Sequence, residues 1–112
     1  MSNLANRPPL GMKDRPIASR YLRQSARGEE CTMRLGCCNH DPATTVLAHL
    51  RLFSMAGMGA KPPDWCAVFA CSACHDALDG RSQDPWGWED VARAVLFTLK
   101  RQFDKGLLME AP

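Results

Sequence analysis

Six cysteines in a chain of 112 residues set the main constraint on its fold. Four of them fall in two groups, Cys31 with Cys38 before the central stretch and Cys71 with Cys74 after it. A chain this short is marginal on hydrophobic burial alone and commonly relies on a metal or disulfide staple. The expected compartment decides which. Met1 to Leu10 carries Asn, Arg and two prolines where a secretory signal would need an apolar run. No apolar run approaches the length of a membrane span, so no membrane partner is expected. The predicted setting is the cytoplasm, where thiols stay reduced, and paired reduced cysteines point to metal before disulfides.

Cys71-Ser72-Ala73-Cys74 stands at the entry to a predicted helix. One turn there lets two thiolates converge on one ion, with Zn–S of about 2.3 Å. Cys31 and Cys38 form a looser pair and complete the four thiolates of a tetrahedral structural Zn²⁺ site. Cys37 is an alternative to Cys38. Cys66 falls in an apolar strand and reads as a small core residue. A redox role for Cys71 and Cys74 lacks the surrounding βαβ pattern that it would need.

The remaining pattern is α+β. Residues 1–16 read as a flexible tail broken by Pro8, Pro9, Gly11 and Pro16, and 17–112 as one domain. The sequence predicts a short helix from Ser19 to Arg27 stopped by Gly28, then a cysteine knuckle over 31–41. Thr44 to Leu50 and Trp65 to Ala70 read as two strands of an antiparallel hairpin around a long loop. A short helix from Ser72 to Leu78 follows, ended by Gly80. A C-terminal amphipathic helix is expected to bury Trp88, Val91, Ala92, Val95, Leu96, Leu99 and Phe103, which recur at spacings of three and four.

Net charge is only +2 and says little about partners. Arg7, Lys13, Arg15, Arg20, Arg23 and Arg27 form a basic arm that could contact phosphates, although a solvated face explains it more simply. His49 closes the first strand and His75 follows Cys74 directly. Held by one zinc staple, a strand histidine facing a helix histidine suits a phosphodiesterase site. One imidazole deprotonates water while the other holds a cation on the scissile phosphate. Each histidine alone has a plainer reading, His49 as a satisfied or surface residue and His75 as a fourth zinc ligand. His40 reads as solvent-facing.

The order of these motifs resembles the zinc-containing HNH (ββα-metal) endonucleases, and more closely the small prophage-encoded nucleases related to YbcO. The matching stretches are Cys38-Asn39, Pro42, Thr44 to Arg51, Gly57 to Asp64, Cys71 to Asp76, Gln102 and Gly106-Leu107. The resemblance covers roughly residues 19 to 108. It implies an HNH-like core, with His49 as general base and His75 as a ligand of a catalytic Mg²⁺ or Mn²⁺. It also puts Cys31, Cys38, Cys71 and Cys74 on the structural zinc positions, favouring Cys38 over Cys37. Two departures stand out. The position before the base, usually a second metal ligand, is Ala48, so Asp76 or Asp79 would have to assist His75. The loop Asn that orients the base is also absent, and Asp64 is the substitute that would bond the His49 ring, a turn residue being the plainer reading.

The expected function is therefore metal-dependent hydrolysis of DNA phosphodiester bonds, in phage or prophage recombination or DNA processing. Arg51, Lys61 and Arg81 are candidate phosphate contacts, and recombination proteins are candidate partners. A non-catalytic zinc-dependent DNA-binding or recombination accessory module is the main rival, supported by Ala48. A third reading is an interaction domain that presents Trp86, Trp88 and Phe103, although core packing explains those residues more simply.

Overall fold

The computed structural model describes residues 19–51 and 62–108. The expected tail over 1–16, most of the long loop, and Lys61 lie outside the described residues. Helix α1 (Arg20–Gln24) starts where Ser19 caps it, the Ser19 hydroxyl accepting from the Leu22 amide at 3.2 Å. It ends three residues before the predicted last residue, Arg27, because the Ser25 hydroxyl donates to the Leu22 carbonyl and the chain turns out through Gly28 at φ 72°.

Strand β1 (Val46–His49) begins later than its β-branched run suggested. Asp41 accepts from the Ala43 amide, and Pro42–Thr44 form a 3-10 turn that removes Thr44 from the strand. Strand β2 (Ala67–Ala70) also starts late, leaving Trp65 exposed in a turn. The two pair antiparallel with Val46 opposite Ala70, Leu47 opposite Phe69, Ala48 opposite Val68 and His49 opposite Ala67. A further rung, Leu50 N–H to the Cys66 carbonyl at 2.8 Å, continues the ladder.

The two-residue period of a strand divides this hairpin between two small cores. Ala48, Leu50, Cys66, Val68 and Ala70 join the cysteine lobe. Leu47, Ala67 and Phe69 face Ala26 and Leu22 on the other side. Helix α2 (Ser72–Leu78) leaves β2 directly and ends at Gly80, φ 77°. Helix α3 (Trp88–Asp104) starts where Asp90 accepts from the Gly87 amide at 2.9 Å. Among the described residues the architecture is thus mixed, one two-stranded antiparallel sheet with three α-helices.

The buried stripe of α3 differs from the predicted one. It is Val91, Ala94, Thr98 and Gln102. Trp88, Ala92, Leu96, Leu99 and Phe103 are exposed and Val95 is only half-buried. The physical reason is the surface against which α3 packs, the backbone edge of β2. There the Thr98 hydroxyl accepts from the Phe69 amide at 3.0 Å and lies 3.2 Å from the Thr32 hydroxyl. Thr32 in turn gives its amide and its hydroxyl to the Phe69 carbonyl, both at 2.8 Å. Small and hydrogen-bonding side chains meet a backbone edge better than bulky ones. No helix among the described residues is long and apolar enough to cross a membrane.

Candidate active site and cysteine cluster

The sulfurs of Cys31, Cys38, Cys71 and Cys74 all lie within 4.8 Å of one another. Those of Cys38 and Cys71 are 3.8 Å apart. A tetrahedral ion with Zn–S of about 2.3 Å has sulfur–sulfur edges of about 3.8 Å, so the spacing suits such an ion. Two turns of similar design present them. The Arg34 amide points to the Cys31 sulfur at 3.5 Å and the Cys74 amide to the Cys71 sulfur at 3.4 Å. Arg34 and His40 take left-handed φ of 48° and 55°, reversing the chain within the knuckle. Asn39 ties that knuckle to α2 by donating to the Ser72 hydroxyl at 2.9 Å.

Ionising four adjacent thiols requires a cation. Burial pushes the Cys38 thiol up to about 11 and pushes Cys74 higher still. Burial also resists ionisation of Cys71, but the amides of Cys74 and Asn39 outweigh it and bring that thiol to about 7. The donor set thus fits a thiophilic metal ion. Cys37 falls outside this four-sulfur group, its sulfur 3.8 Å from the Ala73 carbonyl, and buried Cys66 lies against the Leu50 carbonyl at 3.5 Å. His40 is exposed, with Nδ1 3.6 Å from the Cys38 sulfur.

On the other side of the hairpin, His49 Nε2 lies 2.7 Å from Asp64 Oδ1. The Asp64 side chain is only 2% exposed. Its second oxygen accepts from the Ser19 amide and lies 3.7 Å from Arg23 Nε. Burial works against ionisation of Asp64, yet the Ser19 amide, the His49 ring and Arg23 overcome it and hold the carboxyl below the usual range. An ionised Oδ1 can only accept, so the proton of a neutral His49 sits on Nε2 and leaves Nδ1 with its lone pair. Ala48 is fully buried in the cysteine lobe, where strand alternation sends it, and has no access to this site.

A second cluster gathers on Asp79. Its carboxylate lies 3.1 Å from His75 Nε2, 3.3 Å from Arg81 Nη2 and 4.0 Å from Arg51 Nε. Asp76 instead takes Arg81 Nε at 2.9 Å on the exposed side of α2. Asp79 and His49 line one pocket of about 160 Å³ together with Leu50, Arg51, Leu78, Trp86 and Trp88. Asp79, the partner of His75, therefore shares a depression with His49, while His75 itself is not part of that lining. Sequence reasoning missed Ser19 and Arg23 as supports of Asp64. It also left Asp79 equal with Asp76, although the helical i,i+4 relation to His75 distinguishes Asp79.

A curated relative from Escherichia coli (strain K12), described as "Putative nuclease YbcO", is 56% identical over 62 residues. A second from Enterobacteria phage 82, with the same description, matches equally. The matched stretch is 54% of this chain and spans 65% of each relative's length. A solved structure, titled "Structure of a putative bacteriophage protein from Escherichia coli str. K-12 substr. MG1655", superposes with a TM-score of 0.61 at 38% identity. It covers 77% of this chain and all of its own. The sequence model of one family matches residues 20–104, taking in the cysteine cluster, both histidines and Asp79, and on that match the chain belongs to the family described as "Putative nuclease YbcO".

Proposed function

We propose that this chain is a metal-dependent endonuclease of the HNH (ββα-metal) type that hydrolyses DNA phosphodiester bonds. The observation that carries this reading is the 2.7 Å contact from His49 to the buried Asp64. It orients an imidazole with Nδ1 turned to accept a proton, as a general base requires. His49 Nδ1 takes a proton from water as the water oxygen attacks phosphorus and the bond to the leaving oxygen breaks. Asp64 keeps the ring in the required tautomer and balances the charge that it gains. The family names support nuclease chemistry.

Cys31, Cys38, Cys71 and Cys74 would hold a structural Zn²⁺. His75 and Asp79, 3.1 Å apart, with Asp79 at the rim of the pocket that His49 lines, would hold Mg²⁺ or Mn²⁺. Two protein donors fit an ion that keeps several waters and takes a phosphate oxygen. When bound, that ion supplies charge stabilisation at the scissile phosphate and leaving oxygen. Arg51 and Arg81, which now share Asp79, are the phosphate contacts in reach, and Lys61 is a third from outside the described residues. We place the protein in the cytoplasm, in phage or prophage recombination or DNA processing, with recombination proteins as candidate partners.

The buried Ala48 favours a second reading, a zinc-dependent DNA-binding or recombination accessory module, because it removes one metal ligand from the usual set. Cleavage of single-stranded, double-stranded and branched DNA, screened across divalent ions, separates the two. Metal-dependent cutting that falls by about 10²–10⁴-fold in His49→Ala supports the nuclease. Binding without cutting under every metal supports the accessory module.

A further inference from the structure

We propose that Trp88 is a stacking platform for an unpaired base, so that the preferred substrate is a single strand or a locally opened duplex. This inference rests on the nuclease reading, because it places the platform beside His49. Trp86 is fixed: its indole N–H donates to the Ala77 carbonyl at 3.1 Å, and its ring packs on the cysteine lobe. Trp88 meets it edge to face, with centroids 5.2 Å apart and planes at 85°. Trp88 is thus braced by one neighbour, yet it remains 61% exposed. Burial in the core does not explain it, although its place on an apolar helical period predicted burial. A large indole held at the surface costs apolar hydration and is a common anchor in recognition.

The position of the ring defines its ligand. Trp86 and Trp88 share the small pocket with His49 and Asp79, and Leu50 and Leu78 complete its apolar lining. Its volume of about 160 Å³ has room for a flat ring and not for a drug-sized ligand. Arg51, largely exposed, stands at the same rim and matches a phosphate in charge. A ring beside a phosphate is the repeating chemistry of a nucleic-acid strand. Every base has a π-face, so stacking on an aromatic side chain works without sequence preference. In a duplex both faces of a base are already covered by its neighbours. The ring can therefore be reached only by a base that is unpaired or splayed out.

The test uses binding, so it does not depend on cleavage. In a His49→Ala background without added Mg²⁺ or Mn²⁺, fluorescence anisotropy measures affinity for a dT oligonucleotide and for a blunt duplex of equal length. The expected result is tighter binding of the single strand, with indole quenching. Trp88→Ala should weaken single-strand binding by roughly 10- to 100-fold and leave duplex binding unchanged. Trp88→Phe, which keeps a stacking face, should stay within a few-fold. Zinc content and circular dichroism establish that each variant is folded. Single-strand affinity unchanged in Trp88→Ala, or equal affinity of the parent for strand and duplex, overturns the proposal. Failure of the nuclease reading is a different result, absence of cutting by the unmutated protein.

Discussion

Asp64→Asn isolates the function of one buried carboxylate with almost no change in volume. Asp64 accepts from two N–H groups at once, His49 Nε2 on one oxygen and the Ser19 amide on the other. Asn has a single acceptor oxygen. If that oxygen keeps Ser19, its amide N–H₂ faces His49 Nε2 and forces the ring proton onto Nδ1, the nitrogen assigned to the attacking water. If it keeps His49, the N–H₂ faces the Ser19 N–H and a buried donor loses its acceptor at the start of α1. A donor left without an acceptor costs about 1–3 kcal/mol, so urea unfolding should show a loss in that range. Cleavage should fall by about 10²–10⁴-fold where the tautomer is wrong. Zinc content should hold, since the cysteine cluster lies on the opposite side of the hairpin. Asp64 is held below the usual carboxylate range, so its contribution to stability is present above a pH of about 4 and is lost as pH falls through its lower folded value. Asp64→Asn should therefore flatten the acid limb of the stability curve. A variant that cuts at the parental rate with unchanged stability would refute the positioning role of Asp64.

Three further outcomes follow from contacts elsewhere. Cys74→Ser should lose close to one bound zinc per chain by elemental analysis and unfold, because structural zinc supplies folding free energy of order 10 kcal/mol in small domains, whereas Cys37→Ser and Cys66→Ala should keep the metal. Thr98→Val removes the acceptor of the fully buried Phe69 amide and should lower stability by about 1–3 kcal/mol in thermal or urea unfolding, with cleavage of folded protein unchanged. The Arg101 guanidinium, with Lys105 beside it, holds Glu29 down to about 2, so this cluster stabilises above a pH of about 4.5 and is lost as pH falls toward 2. Glu29→Gln should cost about 1 kcal/mol or less at neutral pH, because both basic partners are partly exposed, and should remove that acid slope.

The cysteine cluster was the most legible feature, since paired thiols in so short a chain admit few uses. The helix start at Ser19, the stop at Gly80 and the short helix after Cys71 were legible because local chemistry sets them, whereas the first helix ends at Gln24, ahead of Gly28. The strand starts were less so. A β-branched run suggested Thr44, but Asp41 and Pro42 impose a turn that overrides propensity. The buried face of α3 was misread because bulky residues were counted. It meets a backbone edge, where Thr98 accepts from the Phe69 amide, and beyond it Gln102 donates to the Ser25 hydroxyl, roles that Leu96 and Phe103 cannot fill. Asp64 was named through the site that it had to complete. The Ser19 amide and Arg23 that support it are more than 40 positions away in sequence and leave no periodic trace.

The edge closed by Thr98 and Thr32 also limits how this protein meets other chains. A two-stranded sheet offers two open backbone edges, and an open edge recruits further strands, from peptides or from misfolded copies. Here the outward amide and carbonyl of Phe69 are both occupied from within the same chain. Strand addition along β2 is therefore blocked at its centre without a charged gatekeeper or a proline. A peptide partner that binds by extending a sheet has no docking position there. The same hydroxyls that seat α3 keep concentrated protein from polymerising through this hairpin edge, a protection that would disappear wherever α3 detached.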